Sequence, residues 1–320
     1  MSKAMIKPER LQPGDVVGII APASAPPDPK AVDRAAAQVE RLGFKLKLAR
    51  NVRARHGFLA GSDRERATDL MAMFADKKVR GIICIRGGYG TARLLDRLDY
   101  AVIRRNPKML AGYSDITTLH CALAVKANLI SFHSPMLNEG LGSEKFPAFS
   151  NESFLRNITE AKPSGSICVG YDKKTVAILR RGVVEGELLG GNLSLLVTTL
   201  GTPYQPQFKN RILFFEDISE RPYRLDRLLT HLLNAGVLQQ VVGVAVGVNQ
   251  DCDDAADAKA KEYKQTSADV LKERLQPLGV PVVTGLPFGH QPMNATIPIG
   301  VRARLDANRG DLVILEAAVK

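Results

Sequence analysis

The sequence predicts an α/β protein of two domains. Residues 1–160 form a mostly parallel sheet with helices on both faces, and residues 161–320 form a β-rich α+β domain. Three observations predict this. Short apolar runs ending in turn residues alternate with amphipathic stretches up to about residue 135, the mark of repeated βα units. The length of 320 residues suits two domains at about 100–200 residues each. Between about 138 and 175 the composition turns to loop formers ("NEGLGSEKFPAFSNESF", "TEAKPSGS"), which reads as a connecting segment.

Each element follows from its residues. "DVVGIIAPAS" is an apolar strand feeding a loop. "PKAVDRAAAQVERLGF" sets Val32, Ala35, Ala36, Val39 and Leu42 on one helical face, and Gly43 ends it. "KLKLAR" is a short strand. "SDRERATDLMAMFAD" is a helix capped by Ser62 or Asp63, with Leu70, Met73 and Phe74 inward. "GIICI", "KMLAG" and "LISFHS" are strands, and "TARLLDRLD" and "DITTLHCALAVKAN" are helices. In the second half "TVAILRRGVVEGELLGGN" is a strand ending in a glycine corner, and "LSLLVTTLG" is a short helix. "RILFFED" is a buried strand ending on two carboxylates. "RLDRLLTHLLNAGVL" is an amphipathic helix, "VVGVAVGV" a central strand, "SADVLKERLQPLG" a helix capped by Ser267, and "PVVTGL" a strand. "ATIPIGVRARLDANRGDLVILEA" alternates and turns at "NRGD", as a hairpin does.

Composition excludes several classes. Apolar content is 45% and no run approaches the roughly 18 apolar residues of a membrane span. The polar start, broken by Pro8 and Pro13, lacks the apolar core of a secretory signal, so a soluble cytoplasmic protein with no membrane partner is expected. Cys84, Cys121, Cys168 and Cys252 form no metal knuckle and no CxxC pair, which predicts free thiols, no metal and no cofactor. The formal charge of +11 comes from basic residues scattered beside acids ("DRERATD", "KAKEYKQ"). With no Trp and no zinc-finger or RNA-binding signature, this predicts attraction of small anionic substrates and not nucleic acid. "DCDDAAD", 251–257, lacks the spaced Gly and final Glu of a calcium loop and reads as a solvated loop.

The chemistry centres on "AGYSD". Ser114 stands between a strand and a helix, behind Gly112. It has two readings: a helix cap, or a nucleophile on a strand-to-helix elbow that lacks the second glycine of G-x-S-x-G. "IRGGYGTA" puts Gly87, Gly88 and Gly90 in a loop between strand and helix, where N–H groups can hold an anion or oxyanion. It is neither G-x-G-x-x-G nor a P-loop. A serine nucleophile requires a base. His120 and His231 lie within helices and read as structural, His56 as a surface loop group. His133 ends a strand, and His290 in "PFGHQ" sits behind Gly289 in a proline-bounded loop, which makes it the preferred base. An orienting carboxylate is available where "LFFED" ends, at Glu216 or Asp217.

Taken together, "GDVVGIIAPAS", "IRGGYGTARLLDRLD", "AGYSDITTLH", "GELLGGNLSLL", "LFFEDISERPYRLDRLLTHL" and "GLPFGH" resemble the LD-carboxypeptidase (muramoyltetrapeptide carboxypeptidase) family of serine peptidases, which also includes microcin C immunity proteins. The likeness runs in order over nearly the whole chain. It implies a flavodoxin-like N-terminal domain, a β-rich C-terminal domain, an active site in the groove between them and a homodimer. It also implies a cytoplasmic enzyme of murein recycling that removes the terminal D-alanine of the cell-wall tetrapeptide. Ser114 is then the nucleophile, Glu216 the orienting acid and His290 the base. The immunity branch holds a nucleobase in an aromatic clamp that includes a tryptophan, which this chain lacks. On this reading the backbone N–H groups of Gly88 and Asp115 bind the oxyanion, Arg86 forks onto the substrate carboxylate and Asn192 bonds the substrate peptide. The alternative of another class is a non-catalytic two-domain ligand-binding protein.

Overall fold

The computed structural model describes residues 4–253 and 265–320. The first half runs β1 (Val16–Ile20), α1 (Ala31–Arg41), β2 (Lys45–Leu48), α2 (Asp63–Ala75), β3 (Val79–Cys84), α3 (Tyr100–Arg105), β4 (Met109–Gly112), α4 (Thr117–Ala122) and β5 (Ser131–His133). β1, β3, β4 and β5 are almost wholly buried because helices cover both sheet faces, whereas β2 alternates at the edge. Ser62 caps α2 in a reciprocal box with Glu65. Two boundaries differ from expectation. Residues 91–97 form a 3₁₀ turn, and Asp99 caps a separate helix, α3, by accepting the N–H groups of Ala101 and Val102. The predicted helix over 115–128 is a 3₁₀ turn at Ser114–Ile116, then α4, then a π turn that closes on left-handed Asn128.

The second half runs α5 (Ala148–Thr159), β6 (Gly165–Ser166), β7 (Ala177–Arg180), β8 (Val183–Asn192), α6 (Leu193–Val197), β9 (Arg211–Glu216), α7 (Pro222–Asn234), β10 (Gly243–Val246), α8 (Ser267–Leu275), β11 (Val282–Thr284), β12 (Ile297–Ile299), β13 (Arg302–Asp306) and β14 (Asp311–Ile314). α5 lies where a structureless connector was expected. It buries Phe154 and Ile158 but also Ser150, Ser153 and Asn157, so its inward face lacks the apolar stripe that marks a helix in sequence. The cap of α8 is Thr266, boxed with Asp269, and not Ser267. Among the described residues no helix is long and apolar enough to cross a membrane. The acidic stretch 251–257 lies partly outside the described residues.

Two sheets organise the molecule. The first has the order β2-β1-β3-β4-β5-β12, with β1 to β5 parallel. The chain reverses direction across the sheet between β1 and β3, the kind of point where such sheets hold ligands. The second has the order β6-β14-β13-β8-β9-β10-β11-β7, a parallel block from β8 to β11 with antiparallel flanks. The stretch expected as one hairpin divides. β13 and β14 pair as a hairpin, while Ile297–Ile299 crosses over and pairs antiparallel with β5 of the first sheet. The buried apolar side chains of both sheets form one continuous core. The carboxyl ends of β4 and β8 meet, and the Asn192 N–H donates to Thr117 Oγ1 at 2.9 Å.

Candidate active site

Ser114 leaves β4 on a strained turn. Tyr113 is extended and Ser114 has φ 61, left-handed backbone that costs a non-glycine residue roughly 1–2 kcal/mol. Among the described residues the other non-glycine positions with positive φ are Asn128, Asn210, Ser219 and Asp251, most of them the types that tolerate it. Ser114 Oγ caps nothing and has no hydrogen-bond partner among the described residues, so the elbow reading fits the geometry and the cap reading does not.

The glycine loop lies against this elbow. A Cβ on Gly87 would sit 3.1 Å from Ser114 Cβ and 3.3 Å from both Ser114 Oγ and the Asp115 nitrogen. The absence of a side chain at Gly87 keeps space open beside hydroxyl and amide. Three buried groups lock loop and elbow together. The Asp115 carboxylate accepts the Thr91 N–H at 2.8 Å, and the Thr91 hydroxyl donates to the Asp115 carbonyl at 2.5 Å. Burial raises the Asp115 carboxyl pKa against these bonds. Arg66, 1% exposed, donates to the Pro22 and Gly90 carbonyls at 2.5 and 2.8 Å and pairs with Asp63. Arg66 sits in "DRERATD", which reads as solvated surface because mixed charge carries no sign that one member turns inward. Arg86 Nη1 donates to the Ala25 carbonyl at 3.2 Å on the same loop system.

The expected base and acid, His290 and Glu216, come from the second sheet and the loops that follow its strands. Glu216 ends β9 fully buried, and His290 follows β11 in a loop. Their Nδ1···Oε2 separation is 2.6 Å. This approach depends on Gly289, at φ 112, because a Cβ there would lie 2.9 Å from Glu216 Cβ and 3.0 Å from Oε2. Burial pulls the His290 pKa down, but the charge and hydrogen bond of Glu216 prevail and hold it above the ordinary 6.5. The loop is braced by the unpredicted helix α5. Ser150 Oγ donates to the Pro292 carbonyl at 2.7 Å and accepts the Asn294 N–H at 2.8 Å, and Asn294 Oδ1 accepts the Gly289 N–H at 3.1 Å.

The Tyr113 ring joins the two halves. It packs on His290 with centroids 4.6 Å apart, and Tyr113 is bonded directly to Ser114. His133 underlies it at 5.5 Å, between Tyr113, Phe214 and Phe288. Both His133 nitrogens are buried without partners, and burial holds the ring neutral. It therefore lies beneath the cleft and cannot serve as its base. His120 is pinned by Ser131 Oγ and the Gly112 carbonyl, each at 2.8 Å, and burial lowers its pKa to about 4.

Asn192 departs from its expected role. It is 2% exposed, its Nδ2 donates to Asp217 at 2.9 Å, and its Oδ1 caps α6 by accepting the Leu195 N–H. It holds the β8–α6 corner and does not face substrate. Asp217 is committed to the same corner, accepting also the Ser194 N–H and hydroxyl. The carboxylates of "LFFED" thus divide, Glu216 to the histidine and Asp217 to the scaffold. A groove of about 490 Å³ opens beside His290, lined by Tyr113, Glu139, Lys145, Phe146, Ile218 and Asn294 among others. Glu139 belongs to "NEGLG", read in sequence only as connector. The surrounding protein raises its carboxyl pKa, although the side chain is exposed in the groove and water there moderates the rise.

Comparison with known proteins shows the family to which the chain belongs. Residues 17–134 match the LD-carboxypeptidase N-terminal domain, and residues 185–305 match the LD-carboxypeptidase C-terminal domain. The chain is 39% identical over 314 residues to a probable murein peptide carboxypeptidase of Bacillus subtilis, covering 98% of this chain and 95% of that one. The crystal structure of muramoyltetrapeptide carboxypeptidase from Oxalobacter formigenes superposes with a TM-score of 0.82 at 32% identity, covering 94% of this chain and 99% of that one. The microcin C7 self-immunity protein MccF, known from Escherichia coli, superposes in its apo state with a TM-score of 0.85 at 28% identity, covering 98% and 100%.

Proposed function

The chain belongs to the LD-carboxypeptidase family, and on that premise we propose that it is a serine carboxypeptidase that hydrolyses the L,D amide bond to the terminal D-alanine of murein tetrapeptide. The observation that carries the reading is the His290–Glu216 pair, 2.6 Å apart, with His290 packed on Tyr113, the chain neighbour of a strained and uncommitted Ser114. Ser114 Oγ attacks the carbonyl of the diamino acid that precedes D-alanine, and His290 Nε2 takes the hydroxyl proton. Glu216 holds the Nδ1–H tautomer and stabilises the imidazolium. The N–H groups of Gly88 and Asp115 receive the oxyanion beside the space that Gly87 leaves open. Collapse breaks the C–N bond, and His290 gives its proton to the departing D-alanine nitrogen. Water then attacks the acyl-serine, yields a proton to His290, and Ser114 recovers it. Arg86 receives the terminal carboxylate of the substrate.

The reading includes a homodimer in the cytoplasm, with which the four free, buried cysteines agree. Release of D-alanine from murein tetrapeptide tests it directly. Wild type releases D-alanine, and Ser114→Ala loses on the order of 10⁶ in rate, as a serine triad does without its nucleophile. Equal turnover by both proteins ends the assignment of Ser114. The likeness to MccF favours a second reading, hydrolysis of a peptide–nucleotide of the microcin C kind. Cleavage of an aminoacyl-adenylate analogue in preference to tetrapeptide decides for it.

A further inference from the structure

We propose that Glu139 is the specificity residue of the groove beside His290, where its carboxylate receives the side-chain ammonium of the diamino acid whose carbonyl Ser114 attacks. The inference deepens the carboxypeptidase reading and rests on it. Glu139 ends a 3₁₀ turn (Leu137–Glu139), and one carboxylate oxygen, Oε2, accepts the Met136 N–H at 3.2 Å. That bond and a second one from the Tyr113 hydroxyl fix the direction of the side chain, and a carboxylate so held can still accept from a ligand in the groove. No Lys or Arg among the described residues pairs with it, although Lys145 lines the same groove.

Position supplies the second argument. Tyr113 and His290 line the same groove and are in ring contact. Tyr113 is the covalent neighbour of Ser114, so the groove begins within one residue of the reacting carbonyl. A side chain on the residue that supplies this carbonyl extends into the groove. Its aliphatic stem meets Tyr113, Phe146 and Ile218, and a terminal ammonium meets the carboxylate. An uncharged aliphatic side chain would leave Glu139 with no counter-charge besides that of His290.

The test compares kcat/KM for three tetrapeptides that differ at this residue: the free diamino acid, its side-chain N-acetyl derivative, and norleucine. Wild type is expected to favour the free amine by about 10- to 100-fold over both others, the range for a hydrogen bond between charged groups. Glu139→Gln is expected to bring that ratio close to one, while Glu139→Asp, which keeps the charge, retains most of it. A ratio is the right readout because damage acting through His290 lowers all three substrates alike. Wild type that cleaves all three equally, or a Glu139→Gln ratio equal to wild type, overturns the proposal. The N-acetyl comparison needs no variant and holds even where a substitution prevents folding. If wild type cleaves none of the three, the carboxypeptidase reading itself has failed.

Discussion

At the residue scale, function rests on small departures from ordinary geometry. A serine at φ 61 presents a hydroxyl that neither capping nor packing consumes. A glycine at 289 lets an imidazole approach a fully buried glutamate. The sign of the His290 shift makes a pH prediction. General-base chemistry needs the neutral ring, and the folded pKa lies above 6.5, so activity is lost as pH falls through that raised value. In Glu216→Gln the charge that raises the pKa is gone while burial, which lowers it, remains. The acid limb of kcat/KM is therefore expected to move below its wild-type position, with the rate down about 10³–10⁴-fold because the tautomer is no longer held. An acid limb unmoved by the substitution would show that Glu216 does not control the titrating group.

At the element scale, the site is held by pieces that sequence patterns do not announce. α5 has a polar inward face because its serines bind backbone groups of the His290 loop. Ser150→Ala removes one bond from the Pro292 carbonyl and one from the Asn294 N–H, which keep only their 3.0 Å bond to each other, at about 0.5–1.5 kcal/mol for each bond lost. Urea denaturation is expected to show that loss as a lower midpoint, accompanied by lower kcat/KM because the loop carrying His290 loosens. An unchanged midpoint contradicts the bracing role. Arg66 plays the matching part for the glycine loop through its bonds to Pro22 and Gly90.

At the scale of the whole molecule, two sheets share one core, and the second half gives a strand to the first sheet. β12 leaves the second half of the chain and completes the first sheet beside β5. The first half cannot present its full sheet without the second, and the apolar cluster runs through both. Scanning calorimetry is expected to give a single transition whose calorimetric and van't Hoff enthalpies agree. Two resolved transitions would mean that the halves unfold independently despite the shared strand.

The sequence by itself determined the alternation of strand and helix, the turn residues around Ser114, the acid at the end of "RILFFE" and the histidine behind Gly289. Each is a local matter of periodicity or of a residue type at a chain reversal. It could not determine which of two adjacent carboxylates faces the histidine, that Asn192 serves a helix cap, that Arg66 turns inward, or that Glu139 enters the groove. Those outcomes depend on burial and on partners far away in the chain, as with Glu216 and His290, 74 residues apart, or Ser150 and Pro292, 142 apart. Side chains of one type in similar local settings diverge once packing assigns some to water and others to a single buried partner, and only the tertiary structure makes that assignment.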